Sequence, residues 1–206
     1  MNNHLNGITG MSLPGPSAWK LMLPPYIDET RQLELRPKKE GEKDAAVLIL
    51  LHSRGGILSF PLLARPSQMR HHAGQIALPG GALEPNEAAI DAALRETWEE
   101  LGVAVEAASV QLSLSPIFAL PSNYWVYPFM ALIETTPSYT LNQQEASSCF
   151  EVPLSALLDS SSRSTFPLHR NGRLWEVPCF RFEDRIVWGL TAMILAEFAQ
   201  LAAKLT

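Results

Sequence analysis

The sequence has little with which to cross-link itself or to grip a charge-dense polymer. Its 206 residues contain two cysteines, Cys149 and Cys179. These form neither a disulfide framework nor a metal-type pairing, so buried packing and a reducing compartment are expected. Lys and Arg number 16 against 21 Asp and Glu, a formal net charge of −5. That balance excludes tight nonspecific nucleic-acid binding, which works by neutralising many phosphates with basic side chains. Residues 1–10 lack a basic start followed by an apolar core, so no secretory signal is read and cytoplasmic residence is the expectation. Residues 110–133 lack charge altogether, a length that could suggest a membrane span. Pro116, Pro121 and Pro128 divide the stretch, and Ser122 with Asn123 gives a turn signal, so a pair of buried strands and no membrane partner are expected.

What is present suffices for one core without staples, with 47% hydrophobic residues. Residues 1–44 read as a lead-in, with a short apolar run at 19–23 ended by Pro24 and Pro25. Residues 45–206 read as one domain. Its apolar runs at 45–51 and 57–64 flank Gly55 and Gly56, which predicts a hairpin. A strand is expected at 175–180, a short helix after Pro153, and a closing packing helix at 189–205 through Leu190, Met193, Ile194, Phe198 and Leu201. Strands mixed with helices give an α/β class. No internal repeat is visible. Nothing in the residues fixes the oligomeric state, and a homodimer is one expectation.

The chemistry is concentrated between Gly81 and Val103. Ala89, Ile90, Ala93, Leu94 and Leu101 recur at helical intervals, Pro85 suits a first turn, and Gly102 stands where a left-handed C-terminal cap belongs. The spacing predicts a helix from about Glu84 to Leu101. On it Glu96 and Glu100 are neighbours, Glu99 lies beside them, and Arg95 reaches Glu99 across one turn. Neighbouring carboxylates repel unless a cation joins them, and oxygen-only ligands point to Mg²⁺ or Mn²⁺ with a phosphate-bearing substrate. Gly80 and Gly81 allow a backbone carbonyl to approach such a ligand closely. A solvated helix face is the alternative reading of the same residues.

Gly81, then Glu87, Arg95, Glu96, Glu99, Glu100 and Gly102, at the intervals they hold here, resemble the Nudix box of hydrolases that cleave nucleoside diphosphates linked to another group. Thr97 stands where that box usually has a bulky aliphatic residue. The resemblance implies an α/β/α sandwich with a mixed β-sheet. Upstream, an apolar run, Arg65, Arg70, Gly74 and the Leu78 to Gly81 turn resemble the additional signature of the coenzyme A pyrophosphatase group, with Leu63, Pro66 and Leu78 departing from it. Residues 121–129 resemble the same group, with Asn123 in place of a glycine, a residue able to adopt the same left-handed turn.

That resemblance implies metal-dependent hydrolysis of coenzyme A, a small-molecule nucleotide-diphosphate substrate, to adenosine 3′,5′-bisphosphate and 4′-phosphopantetheine. Glu96, Glu99, Glu100 and a carbonyl of Gly80 or Gly81 are the candidate metal ligands. Glu99, Glu100 and Glu145 are candidates for the proton acceptor, Arg95 orients a carboxylate, and Glu87 is expected to support Arg95 or the helix start. Arg65 and Arg70 suit phosphate contacts, since arginine makes charge-assisted bonds in a planar fork. His71 and His72 are expected mainly to solvate a loop. Tyr124 and Trp125 are candidates for stacking on adenine or lining the pantetheine channel. Other dinucleotides such as NADH or ADP-ribose, and a non-catalytic nucleotide sensor, are the alternatives.

Overall fold

Ala46, Leu48, Ile49, Leu50 and Leu51 are all fully buried. Successive residues of a strand face opposite sides, so this strand, β1 (Lys43–Arg54), needs cover on both faces. The computed structural model describes residues 12–34, 36–66 and 74–204. Before β1 come α1 (Pro16–Trp19), a 3₁₀ turn and α2 (Glu29–Gln32). After it follow β2 (Ile57–Ala64), β3 (Ile76–Ala77), β4 (Gly80–Ala82), α3 (Ala89–Leu101), β5 (Val110–Ser113), β6 (Ile117–Ala119) and β7 (Tyr124–Ile133). The chain continues through β8 (Ser148–Pro153), α4 (Leu154–Leu158), β9 (Arg163–Arg170), β10 (Arg173–Phe182), β11 (Arg185–Trp188) and α5 (Gly189–Ala202).

The main sheet runs β3-β2-β1-β7-β5, with β4 added to β1, β6 to β7 and β8 to β2. It is mixed, since β1 and β7 are parallel from Lys43 opposite Tyr124 to His52 opposite Ile133, whereas β1 and β2 form the expected antiparallel hairpin. The second sheet has the order β11-β10-β9. Ala46, Leu48 and Leu50 pack in one cluster with Ala92, Ala93 and Leu101 of α3. Ile49 and Leu51 pack in the other with Leu195 and Phe198 of α5. The result is the expected α/β/α sandwich.

The N-terminal segment joins that second cluster through Trp19 and Met22. Its anchor is Glu197 on α5, fully buried, which accepts hydrogen bonds from the Gly15 N–H (3.1 Å), Trp19 Nε1 (3.0 Å) and Ser115 Oγ (2.6 Å). Further along, Gln32 of α2 donates to the Phe118 carbonyl. These two attachments hold the intervening residues 23–27 beside β3 and β7.

Some boundaries differ from the sequence reading. The box helix begins at Ala89 rather than near Glu84, because Asn86 takes a left-handed φ of 66° that no helix continues, and Pro85 therefore lies in the preceding turn. Gly102 caps the other end at φ 68°, its N–H bonding to the Trp98 carbonyl, as expected. Residues 110–133 hold three strands, not two, because the Pro116 break separates β5 from β6 and Asn123, at φ 62°, turns β6 into β7. Strands β8, β9 and β11 were not expected. The last helix ends at Ala202, and Leu205 lies outside the described residues. No helix among the described residues is long and apolar enough to cross a membrane. Cys149 and Cys179 are free thiols.

Candidate active site

Helix α3 lies against β4, and the contact is built from glycine. A Cβ on Gly81 would stand 2.4 Å from the Glu96 carboxyl carbon, so only glycine leaves room for that carboxylate. One residue earlier, the Gly80 N–H donates to Glu100 Oε2 at 2.9 Å. Arg95 ties the remaining acids to the turn before the helix. Its Nε and Nη2 donate to Glu87 at 2.8 and 3.0 Å, its Nη1 to Glu96 at 2.9 Å and Glu99 at 3.2 Å, and its Nη2 also to the Ala82 carbonyl at 3.1 Å. Glu87 in turn accepts from the Glu84 N–H, so it supports both Arg95 and the helix approach. Thr97, the departure in the box, is fully buried, and its hydroxyl bonds to the Ala93 carbonyl at 2.7 Å.

Glu145, on the loop between β7 and β8, comes to the same place. Carboxylate oxygens of Glu96, Glu99 and Glu145 all lie within 4.8 Å of one another. Burial pushes the Glu100 carboxyl up to about 8, against the favourable Gly80 N–H bond and the attraction of Arg65. Burial likewise raises Glu96, with Arg95 opposing and Glu99 and Glu145 adding like charge. Such a set holds protons or a cation. Oxygen donors alone, with the glycine-lined space beside Glu96, fit a hard divalent ion.

Glu96, Glu100, Glu145, Gly81 and Arg65 are among the residues lining a cavity of about 560 Å³. Tyr124 lines it as well, whereas its neighbour Trp125 turns the other way. Trp125 is nearly buried, donates Nε1–H to Glu42 at 2.9 Å and lies under the Arg36 guanidinium, so it serves packing and not the cavity. Arg95 stands behind the carboxylates it holds. Arg70, His71 and His72 lie outside the described residues. The sequence reading missed further lining residues, Leu23, Tyr26 and Ile27 from the N-terminal segment together with Arg170, Leu190 and Ile194. The apolar run at 19–23 was visible, but no spacing tied it to the acidic helix.

Residues 42–168 match the family model described as the NUDIX domain. The chain belongs to the Nudix family. An uncharacterized Nudix hydrolase, NudL, of Citrobacter koseri is 36% identical over 172 residues, covering 80% of this chain and 88% of that protein. Its namesake from Klebsiella pneumoniae is 33% identical over 190 residues, covering 89% and 97%. Among solved structures, a MutT/nudix family protein from Enterococcus faecalis superposes with a TM-score of 0.57 at 19% identity, over 82% of this chain and 66% of that one. At that identity the likeness is one of fold. The Nudix match begins just before β1 and includes α3 and Glu145, while Trp19, Tyr26 and Arg170 lie outside it.

Proposed function

We propose that this Nudix protein hydrolyses the diphosphate bond of coenzyme A or its acyl derivatives, giving adenosine 3′,5′-bisphosphate and 4′-phosphopantetheine or its acyl form. The observation that carries the reading is the meeting of Glu96, Glu99 and Glu145 within 4.8 Å beside a cavity of about 560 Å³ that Glu96 and Glu145 share with Arg65 and with apolar side chains from both ends of the chain. In this reading residues 45–206 are the catalytic domain, and the segment before them supplies cavity wall. The apolar side chains of Leu23, Ile27, Leu190 and Ile194 suit a pantetheine arm, and Arg65 suits a phosphate.

Glu96, Glu99, Glu100 and Glu145 would hold Mg²⁺ or Mn²⁺, with the Gly81 backbone as a further oxygen donor. When bound, the ion neutralises diphosphate charge and makes water a stronger acid. Arg95 keeps Glu96 and Glu99 in register through its fork of hydrogen bonds. Gly80 fixes one oxygen of Glu100 and leaves the other for a ligand or a proton. The attacking water oxygen forms a new bond to phosphorus, the bridging P–O bond breaks, and a carboxylate takes the water's proton; Glu99, Glu100 and Glu145 are the acceptors within reach of this site.

The test is product analysis after incubation with coenzyme A and Mg²⁺, with a chelator control and with NADH and ADP-ribose in parallel. Adenosine 3′,5′-bisphosphate and phosphopantetheine are the expected products, lost with the chelator and reduced roughly 10²-fold or more in Glu100→Gln. Cleavage of NADH or ADP-ribose alone overturns the substrate and keeps the chemistry. Cleavage of none moves the site to a nucleotide sensor.

A further inference from the structure

Strands β9 and β10 are joined by Asn171 and Gly172, both left-handed at φ 52° and 72°. That two-residue turn sets Arg170 directly opposite Arg173 on the same face of the hairpin. Like charges in that position repel, and among the described residues neither arginine has a carboxylate partner. Each guanidinium instead lies over an aromatic ring, the Arg170 Cζ at 4.7 Å from the centroid of Tyr26 and the Arg173 Cζ at 4.1 Å from that of Trp175. Tyr26 and Trp175 meet edge to face at 5.9 Å. Neither guanidinium donates a hydrogen bond to a described residue, so their N–H groups remain available to a ligand. These residues surround a second cavity of about 310 Å³, and Tyr26, Ile27 and Arg170 line both it and the larger one. Arg173 lines only the smaller cavity, which none of Glu96, Glu100 and Glu145 lines, so the arginine pair addresses a different part of a bound molecule from the acidic cluster.

We propose that the tip of the β9–β10 hairpin is an anion subsite, with Arg170 and Arg173 receiving a second anionic group of a substrate whose diphosphate lies at the acidic cluster. This rests on the reading of that cluster as the cleavage site. The substrate class is a nucleoside diphosphate conjugate carrying a phosphomonoester or carboxylate away from the scissile bond. In coenzyme A derivatives the group has two sources, the 3′-phosphate of the adenosine or a carboxylate ending the acyl arm.

The double variant Arg170→Gln, Arg173→Gln is compared with wild type on coenzyme A against dephospho-coenzyme A, and on succinyl- against butyryl-coenzyme A. Preference for the member bearing the extra anion falls about tenfold or more, through KM. A fall in the first pair assigns the 3′-phosphate, and a fall in the second assigns the acyl carboxylate. The Arg170→Lys, Arg173→Lys variant, which keeps charge without the planar fork, recovers part of the preference. Equal losses on all four substrates, or no loss on any, overturn the subsite. Tryptophan fluorescence titrated with adenosine 3′,5′-bisphosphate and with succinate gives a readout free of turnover. A saturable change in wild type that the Gln variant lacks supports the subsite even where no substrate is cleaved, an outcome that refutes only the cleavage reading. No saturable change with either probe overturns the subsite.

Discussion

Adding one methyl group at Gly81 separates the site from the fold. A Cβ there would lie 2.4 Å from Glu96 Cδ and Oε2 and 2.5 Å from Oε1. Carbon contacts relax at roughly 3.5 Å, so the carboxylate must retreat by about 1 Å. Gly81 has no left-handed backbone, and the atoms in the way end a flexible side chain, so folding stability should change by less than about 1 kcal/mol, a few degrees in Tm for a chain of this size. A 1 Å displacement in a positioned site can cost about 10²-fold in rate, equivalent to about 2.7 kcal/mol. Gly80→Ala is the contrasting variant. Its Cβ would stand 2.2 Å from the Ala46 carbonyl oxygen and 2.6 Å from Val47 Cα, at φ 147°, and backbone of the central strand cannot yield. Gly80→Ala should therefore lose both stability and turnover, whereas Gly81→Ala should lose turnover and Mn²⁺ affinity at nearly wild-type Tm. The assays are thermal melting, steady-state hydrolysis and Mn²⁺ titration. Full turnover with wild-type Mn²⁺ affinity in Gly81→Ala would refute the placing of Glu96 in the ion site. A melting temperature as low as that of Gly80→Ala would refute the claim that the clash stays in one side chain.

Two further outcomes concern the segment that walls the cavity and the cluster beneath β7. Glu197→Ala leaves the Trp19, Gly15 and Ser115 donors buried without their acceptor, a loss of about 3 kcal/mol or more in urea unfolding, while Trp19→Phe should lose roughly 1 kcal/mol of hydrogen bonding; a Glu197→Ala protein within 1 kcal/mol of wild type sinks the anchor. Glu42 is held down to about 2 from its ordinary 4.5, first by the Arg36 hydrogen bond and then by the Lys39 and Trp125 N–H groups. A depressed carboxylate stabilises the fold above its unfolded value and loses that contribution as pH falls from about 4.5 toward 2. The stability gap between wild type and Glu42→Gln should accordingly shrink over that window in acid titration of urea melts, and a gap independent of pH would contradict the pairing.

The sequence by itself determined what depends on neighbours within a turn or a strand. Glu96, Glu99, Glu100 and Arg95 share a helix, and their mutual distances follow from its pitch wherever the helix lies. The two-faced burial of β1 was likewise legible in an unbroken apolar run. The Gly102 and Asn123 turns were legible because few residues tolerate a left-handed backbone. The tertiary structure alone decided the rest. Glu145 reaches the acidic helix only because the β7–β8 loop folds over it, and Trp125 faces away from the cavity only because the parallel register with β1 turns Tyr124 toward it. Nothing local to residues 23–27 or to Arg170 ties them to the acidic helix. They become cavity wall through a buried carboxylate on α5 that holds Trp19 and through the packing of Arg170 over Tyr26, contacts between segments far apart in the chain that no periodicity encodes.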